Sequence, residues 1–262
     1  TEVDHDKVIR LAISNITIDK FYHPIQGTQY LHVIVDECQD IDNLRGELIL
    51  KFCRTVGAKT LTLFGDPRQR IRTACGEWYS SLWTTYDNPR VIQTPLSYSY
   101  RFQNPYILNI VNSLSSRRPS LHVTLKPYTE NLLESLEDSF KIRTVTNIQR
   151  LIEEIQATGQ FGEWAFIGHT VDRNNKTAIT AHYLATVLKS NGIRCYFRSD
   201  GAYIADAVAF LTIHSSKGRE FNNIVMFGMS NYPNTFAMVE YDQGESLIYV
   251  AHSRARQNIY YI

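Results

Sequence analysis

The sequence predicts an α/β fold in which parallel strands are covered by helices. Short apolar runs rich in β-branched and aromatic residues recur along the chain, and segments with helical spacing of apolar residues separate them. Glycine, proline or polar residues bound each run. With 44% hydrophobic and 20% charged residues, the 262-residue chain has the composition of an ordinary globular protein.

Eight runs are predicted to be strands: Leu31–Val35, Thr60–Phe64, Arg90–Thr94, Trp164–Gly168, Cys195–Arg198, Val208–Ile213, Ile224–Gly228 and Asn258–Ile262. Apolar residues recur every four positions over 44–56, which predicts a helix between the first two strands. A second helix begins at Asn104 and Pro105, because Asn caps helices well and Pro suits the first helical position. A third covers 177–191 and ends before Gly192.

Residues 115–160 show the least regular pattern, and we expect a boundary region there. We expect two domains, residues 1–95 and 96–262. The net charge is only +1, so a polyanion would be bound by a local patch rather than by the overall field. No apolar run approaches the roughly 20 residues that cross a bilayer.

The four cysteines have neither zinc-ligand spacing nor the density of a disulfide framework: Cys38, Cys53, Cys75 and Cys195. We therefore expect an intracellular reducing compartment, cytoplasmic or nuclear, and no membrane association.

Two carboxylates, Asp36 and Glu37, directly follow the first predicted strand. In open parallel sheets, ligands bind beyond the carboxyl ends of the strands. A carboxylate there can hold Mg²⁺ while its neighbour orients or deprotonates a water molecule, which is the Walker B arrangement. The alternative is that two acids simply begin a solvated helix.

A Gly65-Asp66-Pro sequence follows the second predicted strand, and Gln69 comes three residues after Asp66. A glutamine at a strand end can hydrogen-bond a terminal phosphate or its attacking water. Gly, Asp and Pro are also common turn formers, so the alternative interpretation is a turn.

Tyr100 and Arg101 precede a predicted helix. At that position a guanidinium can reach a phosphate and an aromatic ring can stack on a base. The alternative is that both are ordinary surface residues.

Two further stretches are rich in polar side chains. The predicted loop between the strands 208–213 and 224–228 contains His214, Lys217 and Glu220, and such a loop between buried strands is often a site. Arg254 and Arg256 lie on what the pattern predicts to be a helix, where either could simply be solvated.

These stretches, in this order, resemble the motifs of superfamily 1 helicases of the UvrD/Rep type. They are DECQD (36–40, motif II), GDPRQRI (65–71, motif III), YR (100–101, motif IV), TIHSSKGREF (212–221, motif V) and YVAHSRAR (249–256, motif VI). Each is weak alone, but the pairing of motifs V and VI is highly specific. The resemblance spans roughly residues 30–262.

The resemblance implies roles in ATP hydrolysis for five residues. Asp36 would coordinate Mg²⁺ and Glu37 would be the catalytic base. Gln69 would sense the γ-phosphate, and Arg101 and Arg254 would be arginine fingers. The resemblance also implies that Tyr100 contacts the adenine, that Glu220 contacts the ribose and that Gly65 and Asp66 help to bind the cofactor. Coupling to the nucleic acid is implied for His214, Ser215 and Lys217.

The implied fold is two RecA-like lobes of the P-loop NTPase type with ATP between them and single-stranded or partly duplex DNA as the partner. The first lobe would be incomplete, because the phosphate loop GxxxxGK[ST] is absent and the only glycine before motif II is Gly27. We expect that loop upstream of this chain. Motif III usually ends in a base-stacking aromatic; Ala74 stands near that position, and Trp78 or Trp83 could substitute.

Two alternatives remain open. The chain could be a helicase-like module that binds protein or nucleic acid without catalysis. It could also belong to a viral superfamily 1 RNA helicase, although the KGxEF form of motif V favours DNA.

Overall fold

The computed structural model describes residues 4–16, 32–71, 78, 92, 94–116, 123–128, 142–168, 176–198, 204–228 and 241–262. The chain divides into two compact units, with the boundary between residues 93 and 94. The strand predicted at Arg90–Thr94 lies almost wholly outside the described residues. Within these ranges, no helix is both long and apolar enough to cross a membrane.

The described residues of the first unit form two parallel strands and two helices. They are α1 (His5–Asn15), β1 (His32–Val35), α2 (Asn43–Thr55) and β2 (Thr60–Leu63). The predicted helix between the strands is confirmed as α2. The Asp42 side chain caps it by accepting the N–H of Arg45 at 2.8 Å, which satisfies one of the unpaired donors of the first turn. A single 3₁₀ turn follows each strand, Cys38–Asp40 after β1 and Pro67–Gln69 after β2.

The second unit is built around a six-stranded parallel sheet, which confirms the predicted α/β class. Its strands are β3 (Tyr98–Ser99), β4 (Lys126–Pro127), β5 (Ile142–Thr144), β6 (Trp164–Gly168), β7 (Cys195–Phe197), β8 (Val208–Thr212), β9 (Phe221–Met226) and β10 (Ala255–Tyr261). The helices are α3 (Pro105–Ser116), α4 (Ile148–Thr158), α5 (Lys176–Ser190), α6 (Ile213–Ser216) and α7 (Tyr241–His252). The sheet order is β5-β10-β9-β6-β8-β7, and β3 pairs separately with β4.

The core of the second unit lies between the sheet and its helices. All five residues of β6 are buried, as expected of a central parallel strand. Phe166 and Phe210 stack across β6 and β8 with ring centroids 4.8 Å apart. Residues 142–158 are not a boundary region, contrary to expectation, because β5 pairs with β10 and Leu151, Ile152 and Ile155 of α4 are fully buried in this core.

The predicted helix ends are close to those observed. The Asn104 side chain accepts the N–H of Tyr106 at 2.8 Å, so α3 begins as predicted. Gly192 follows the end of α5 with φ +77°, a left-handed conformation that glycine adopts without strain.

Three predictions about the last strands are wrong. β9 begins at Phe221 and β10 at Ala255, each three residues earlier than predicted. Residues 222–223 of β9 and 256–258 of β10 are polar, but Asn258 Nδ2 donates to Asn223 Oδ1 at 2.6 Å, so these two side chains satisfy each other within the sheet. Arg254 and Arg256 are not on a helix: α7 ends at His252, Arg254 lies in the following turn and Arg256 on β10.

Candidate functional site

Asp36 and Glu37 lie at the carboxyl end of β1, and both are exposed. The Asp36 Oδ1 atom accepts the N–H of Glu37 at 2.8 Å. Glu37 has φ +52°, and it is the one non-glycine residue of the described ranges with a positive φ. A left-handed conformation costs a non-glycine residue on the order of 1–3 kcal/mol, and such strain clusters at functional sites. The strand therefore ends in a strained turn that presents two carboxylates to solvent.

The side chain of Gln39 connects the turn after β1 to the turn after β2. Gln39 is 3% exposed. Its Nε2 donates to Glu37 Oε2 at 2.5 Å, and its Oε1 accepts the N–H of Asp66 at 3.1 Å. Both ends of the amide are thus engaged, and the residue was not among those that sequence reasoning singled out.

The second turn is organised around Asp66. Burial alone would raise the pKa of the Asp66 carboxyl, but the Arg68 guanidinium, with Nε 2.7 Å from Oδ1, and the Gln69 amide hold it below the usual value. Gln69 Nε2 donates to Asp66 Oδ2 at 3.1 Å. Gly65 precedes this turn because a Cβ there would lie 2.4 Å from Gln39 Oε1. Motifs II and III are therefore one hydrogen-bonded assembly.

Trp78 is a core residue of the first unit. It is 2% exposed, and its Nε1–H donates to the carbonyl of Cys38 at 3.2 Å. Its ring lies against Gly46 on α2, where a Cβ would approach the Trp78 side chain to 2.5 Å. Trp78 is therefore not an exposed base-stacking aromatic, and both Ala74 and Trp83 lie outside the described residues.

In the second unit, Arg101 is held by motifs V and VI. Its Nε donates to Glu220 Oε2 at 2.8 Å, and its Nη1 donates to the carbonyl of Ser253 at 3.0 Å. Glu220 Oε1 also lies 4.0 Å from Arg256 Nη1, so one carboxylate faces two guanidinium groups. The Arg101 and Glu220 side chains remain 33% and 43% exposed.

Arg254 is 1% exposed, and all three of its guanidinium nitrogens donate within the second unit. Nε donates to the carbonyl of Val250 at 3.0 Å, Nη1 to the carbonyl of Arg219 at 3.2 Å and Nη2 to Ser253 Oγ at 2.8 Å. These bonds fix the orientation of the guanidinium.

Tyr100 is 71% exposed, and its ring lies on that of Tyr128, with centroids 4.0 Å apart at 30°. The pairing of β3 with β4 brings the two rings together, because Tyr128 N–H donates to the carbonyl of Ser99 at 3.2 Å. Tyr128 was not identified from sequence, since it lies in the region with the least regular pattern.

The motif V loop is more ordered than predicted, because α6 occupies its first half. Thr212 and Ser215 form a capping box: Thr212 N–H donates to Ser215 Oγ at 2.9 Å, and Ser215 N–H donates to Thr212 Oγ1 at 3.0 Å. His214 on this helix is exposed, and Lys217 is half-buried in the turn that follows. This geometry brings His214, Ser215 and Lys217 together just beyond the carboxyl end of β8.

The described residues contain no group of three or more His, Cys, Asp or Glu side chains arranged to hold a metal ion. A magnesium ion bound with a nucleotide does not need one, because it usually takes one or two protein carboxylates and completes its shell with phosphate oxygens and water. The exposed Asp36 carboxylate, beside that of Glu37, fits this donor set.

Asp36 and Glu37 lie directly beyond the end of a parallel strand, which is where open α/β domains bind their ligands. Comparison with family models is more specific: the model of the UvrD-like helicase C-terminal domain matches residues 28–262. The chain therefore belongs to the UvrD-like helicase C-terminal domain family, and the resemblance inferred from the motifs is confirmed at that level.

A solved structure, the C-terminal domain of a possible DNA helicase from Lactobacillus plantarum WCFS1, is 14% identical to the chain. The match covers 62% of this chain and 86% of that one, with a TM-score of 0.37, and at these values it supports no conclusion of its own. No curated protein matches the chain.

Proposed function

We propose that this chain is part of an ATP-dependent DNA helicase or translocase, which couples ATP hydrolysis to movement along single-stranded DNA and to duplex unwinding. One observation carries the proposal. The Glu37 carboxylate at the end of β1 is tied by Gln39 to the turn that holds Gln69, so a base and a phosphate sensor belong to one assembly. Membership in the helicase family supports nucleic acid as the partner.

Each proposed role follows from the chemistry of its side chain. Asp36 contributes an oxygen ligand for Mg²⁺, and Glu37 accepts a proton from the attacking water. Gln69 donates a hydrogen bond to the terminal phosphate without adding charge. Arg101 and Arg254 supply positive charge that stabilises the transferring phosphoryl group. Bound ATP with Mg²⁺ supplies the phosphoanhydride bond that is cleaved.

The remaining proposed contacts concern binding and coupling. The exposed ring of Tyr100 can stack on adenine, and Glu220 can accept hydrogen bonds from the ribose hydroxyls. Gly65 and Asp66 shape the turn that presents Gln69 to the nucleotide. His214, Ser215 and Lys217 couple the nucleotide to the DNA strand.

The test is strand-dependent ATP hydrolysis by the full-length gene product, because the GxxxxGK[ST] loop is not in this sequence. The parent protein should hydrolyse ATP faster when single-stranded DNA is added, and less so with single-stranded RNA of the same length. Glu37→Gln should lower kcat on the order of 10²- to 10⁴-fold, the usual contribution of a general base.

Glu47→Gln is the matched control, since Glu47 is an exposed acid on α2 of the same unit and should leave kcat unchanged. Equal kcat for the parent and Glu37→Gln refutes the base assignment. Absence of any hydrolysis by the parent protein, with DNA still bound, favours a non-catalytic module, and stronger stimulation by RNA favours an RNA helicase.

A further inference from the structure

The side chain of Gln39 joins the carboxylate of Glu37 to the segment that carries Gln69. We infer that Gln39 is a positioning residue, which holds the Glu37 carboxylate in place for hydrolysis and makes its position depend on the turn that carries Gln69. The inference rests on the proposed role of Glu37 as the base.

The orientation of the Gln39 amide is fixed by its partners. Nε2 must face the Glu37 carboxylate, which can only accept, and Oε1 must face the Asp66 N–H, which can only donate. Rotating the amide by 180° would set oxygen against oxygen and N–H against N–H. Because the side chain is also 3% exposed, water cannot readily replace either partner. Gln39 therefore has one stable arrangement.

This arrangement matters because the backbone of Glu37 is strained and its side chain is exposed. A flexible exposed carboxylate samples several rotamers, and a general base needs one geometry within hydrogen-bond reach of its water. The buried Gln39 amide supplies that restraint. A restraint of this kind lowers the cost of reaching the reactive geometry without contacting the nucleotide.

The same amide relays the state of the second turn. Gln69 Nε2 donates to Asp66 Oδ2, and the backbone N–H of Asp66 donates to Gln39 Oε1. A displacement of Asp66 when Gln69 engages a phosphate is passed through two hydrogen bonds to Glu37. Phosphate recognition and base positioning are thereby coupled.

The first test compares Gln39→Met with the parent full-length gene product. Methionine keeps the volume and the buried apolar contacts but can neither donate to Glu37 nor accept from Asp66. We expect kcat to fall on the order of 10- to 100-fold, the range for a lost hydrogen bond to a charged group, with KM for ATP unchanged within about twofold. Gln39→Glu should be at least as impaired, because it sets a second carboxylate against Glu37.

Gln156→Met is the matched control, since Gln156 lies on α4, donates to the carbonyl of Asn191 and should leave kcat unaltered. The fall in kcat for Gln39→Met combined with Gln69→Ala should be smaller than the product of the two single effects, because both act through Asp66. The inference is overturned if Gln39→Met leaves kcat unchanged, or if it lowers both kcat and the affinity for a fluorescent ATP analogue. It is also overturned if the effects of Gln39→Met and Gln69→Ala on kcat simply multiply in the double variant.

A second readout needs no hydrolysis and separates this inference from the proposed function. In ¹⁵N NMR spectra of the 262-residue chain, the side-chain NH₂ of Gln39 should exchange slowly with solvent, and Glu37→Ala should accelerate that exchange about 10-fold or more. If the full-length gene product does not hydrolyse ATP but the Gln39 NH₂ exchanges slowly, the proposed function fails, and the contact between Gln39 and Glu37 stands without a catalytic role. Rapid exchange of this NH₂ in the unsubstituted chain overturns the inference in either case.

Discussion

Replacing Gly65 with alanine should displace the side chain of Gln39. A Cβ at residue 65 would lie 2.4 Å from Gln39 Oε1 and 2.7 Å from Cys38 Sγ, whereas ordinary contacts begin near 3.4 Å. The end of the Gln39 side chain must therefore move by about 1 Å, the difference between 2.4 and 3.4 Å. A shift of that size breaks the 3.1 Å hydrogen bond from the Asp66 N–H.

The net change in stability follows from two opposing terms. A buried donor left without its acceptor costs about 1–3 kcal/mol. Replacing glycine with alanine raises the free energy of unfolding by about 0.4–1 kcal/mol, because it lowers the conformational entropy of the unfolded chain. Residue 65 does not have a left-handed φ, so alanine introduces no backbone strain there. The free energy of unfolding of the first unit should therefore fall by about 0.5–2 kcal/mol.

The assay is urea unfolding followed by tryptophan fluorescence, since the buried Trp78 belongs to this unit. The same change should be measured in a Gln39→Ala background, where the closest overlap no longer exists and the contacts with Cys38 Sγ and the Cys38 backbone nitrogen remain. The loss caused by Gly65→Ala should be clearly smaller there. An equal loss in both backgrounds would show that Gln39 does not cause the effect, and the steric reasoning would be wrong.

The remaining predictions concern the second unit. Glu220→Gln should lower its free energy of unfolding by less than about 1 kcal/mol, because the pair with Arg101 is partly exposed, and the difference should shrink in about 1 M NaCl; a loss unaffected by salt would contradict this. Burial lowers the pKa of His252 below that of the unfolded chain, which is about 6.5, so the free energy of unfolding should be highest above that pH and fall below it as the unfolded chain takes up the proton. In urea melts at several pH values, His252→Phe should lose less stability on acidification than the parent. An equal loss in both proteins would refute the role of His252. Burial raises the pKa of Cys195 to about 12, so iodoacetamide at about pH 8 should modify it only after unfolding; fast labelling of the folded protein in peptide mass spectra would contradict this. Ile155→Ala should cost about 2–5 kcal/mol in urea unfolding, because Ile155 is fully buried, and a cost under about 1 kcal/mol would place α4 outside the core.

The fold could be predicted wherever a local rule determines the structure. Asn104 and Gly192 mark helix ends through capping and left-handed geometry, which depend only on neighbouring residues. The apolar strand β6 was predicted residue for residue, because a strand buried on both faces leaves an uninterrupted apolar run.

Prediction failed where pairing between distant segments supplied the stability. Asn223 was assigned to a loop, since an unpaired amide would be costly in a buried sheet, but Asn223 and Asn258 satisfy each other across β9 and β10. Arg254 was assigned to a helix because apolar residues flank it, whereas the pairing of Ala255 with Phe221 starts a strand one residue later. No pattern within a single segment contains that information.

The site shows the same division between residue types and contacts. Sequence reasoning singled out Glu37 and Gln69, because their side chains suit the chemistry of phosphate hydrolysis. Gln39 was missed although it lies between Glu37 and Asp40, since its importance comes from the register of β1 and β2. The N–H of Cys38 donates to the carbonyl of Phe64 at 2.9 Å, and this bond brings the two turns close enough for one amide to span them.

The hydrogen bonds of the second unit give a physical reason why motifs IV, V and VI occur together. Arg101 of motif IV donates to Glu220 of motif V and to the carbonyl of Ser253 in motif VI, although these partners are 119 and 152 residues away. Motif VI is in turn hydrogen-bonded to motif V. The guanidinium of Arg254 donates to the carbonyl of Arg219, and the backbone carbonyl of Arg254 accepts the N–H of Phe221 at 2.9 Å.

Many of these bonds use main-chain atoms, so their formation requires the correct path of each segment and not only the presence of its side chains. A change in one motif therefore shifts groups that the other two need. This interdependence explains why short patterns that are weak singly are specific in combination. It also implies that a substitution at Ser253, whose carbonyl and hydroxyl bind two different arginines, acts on both arginines at once.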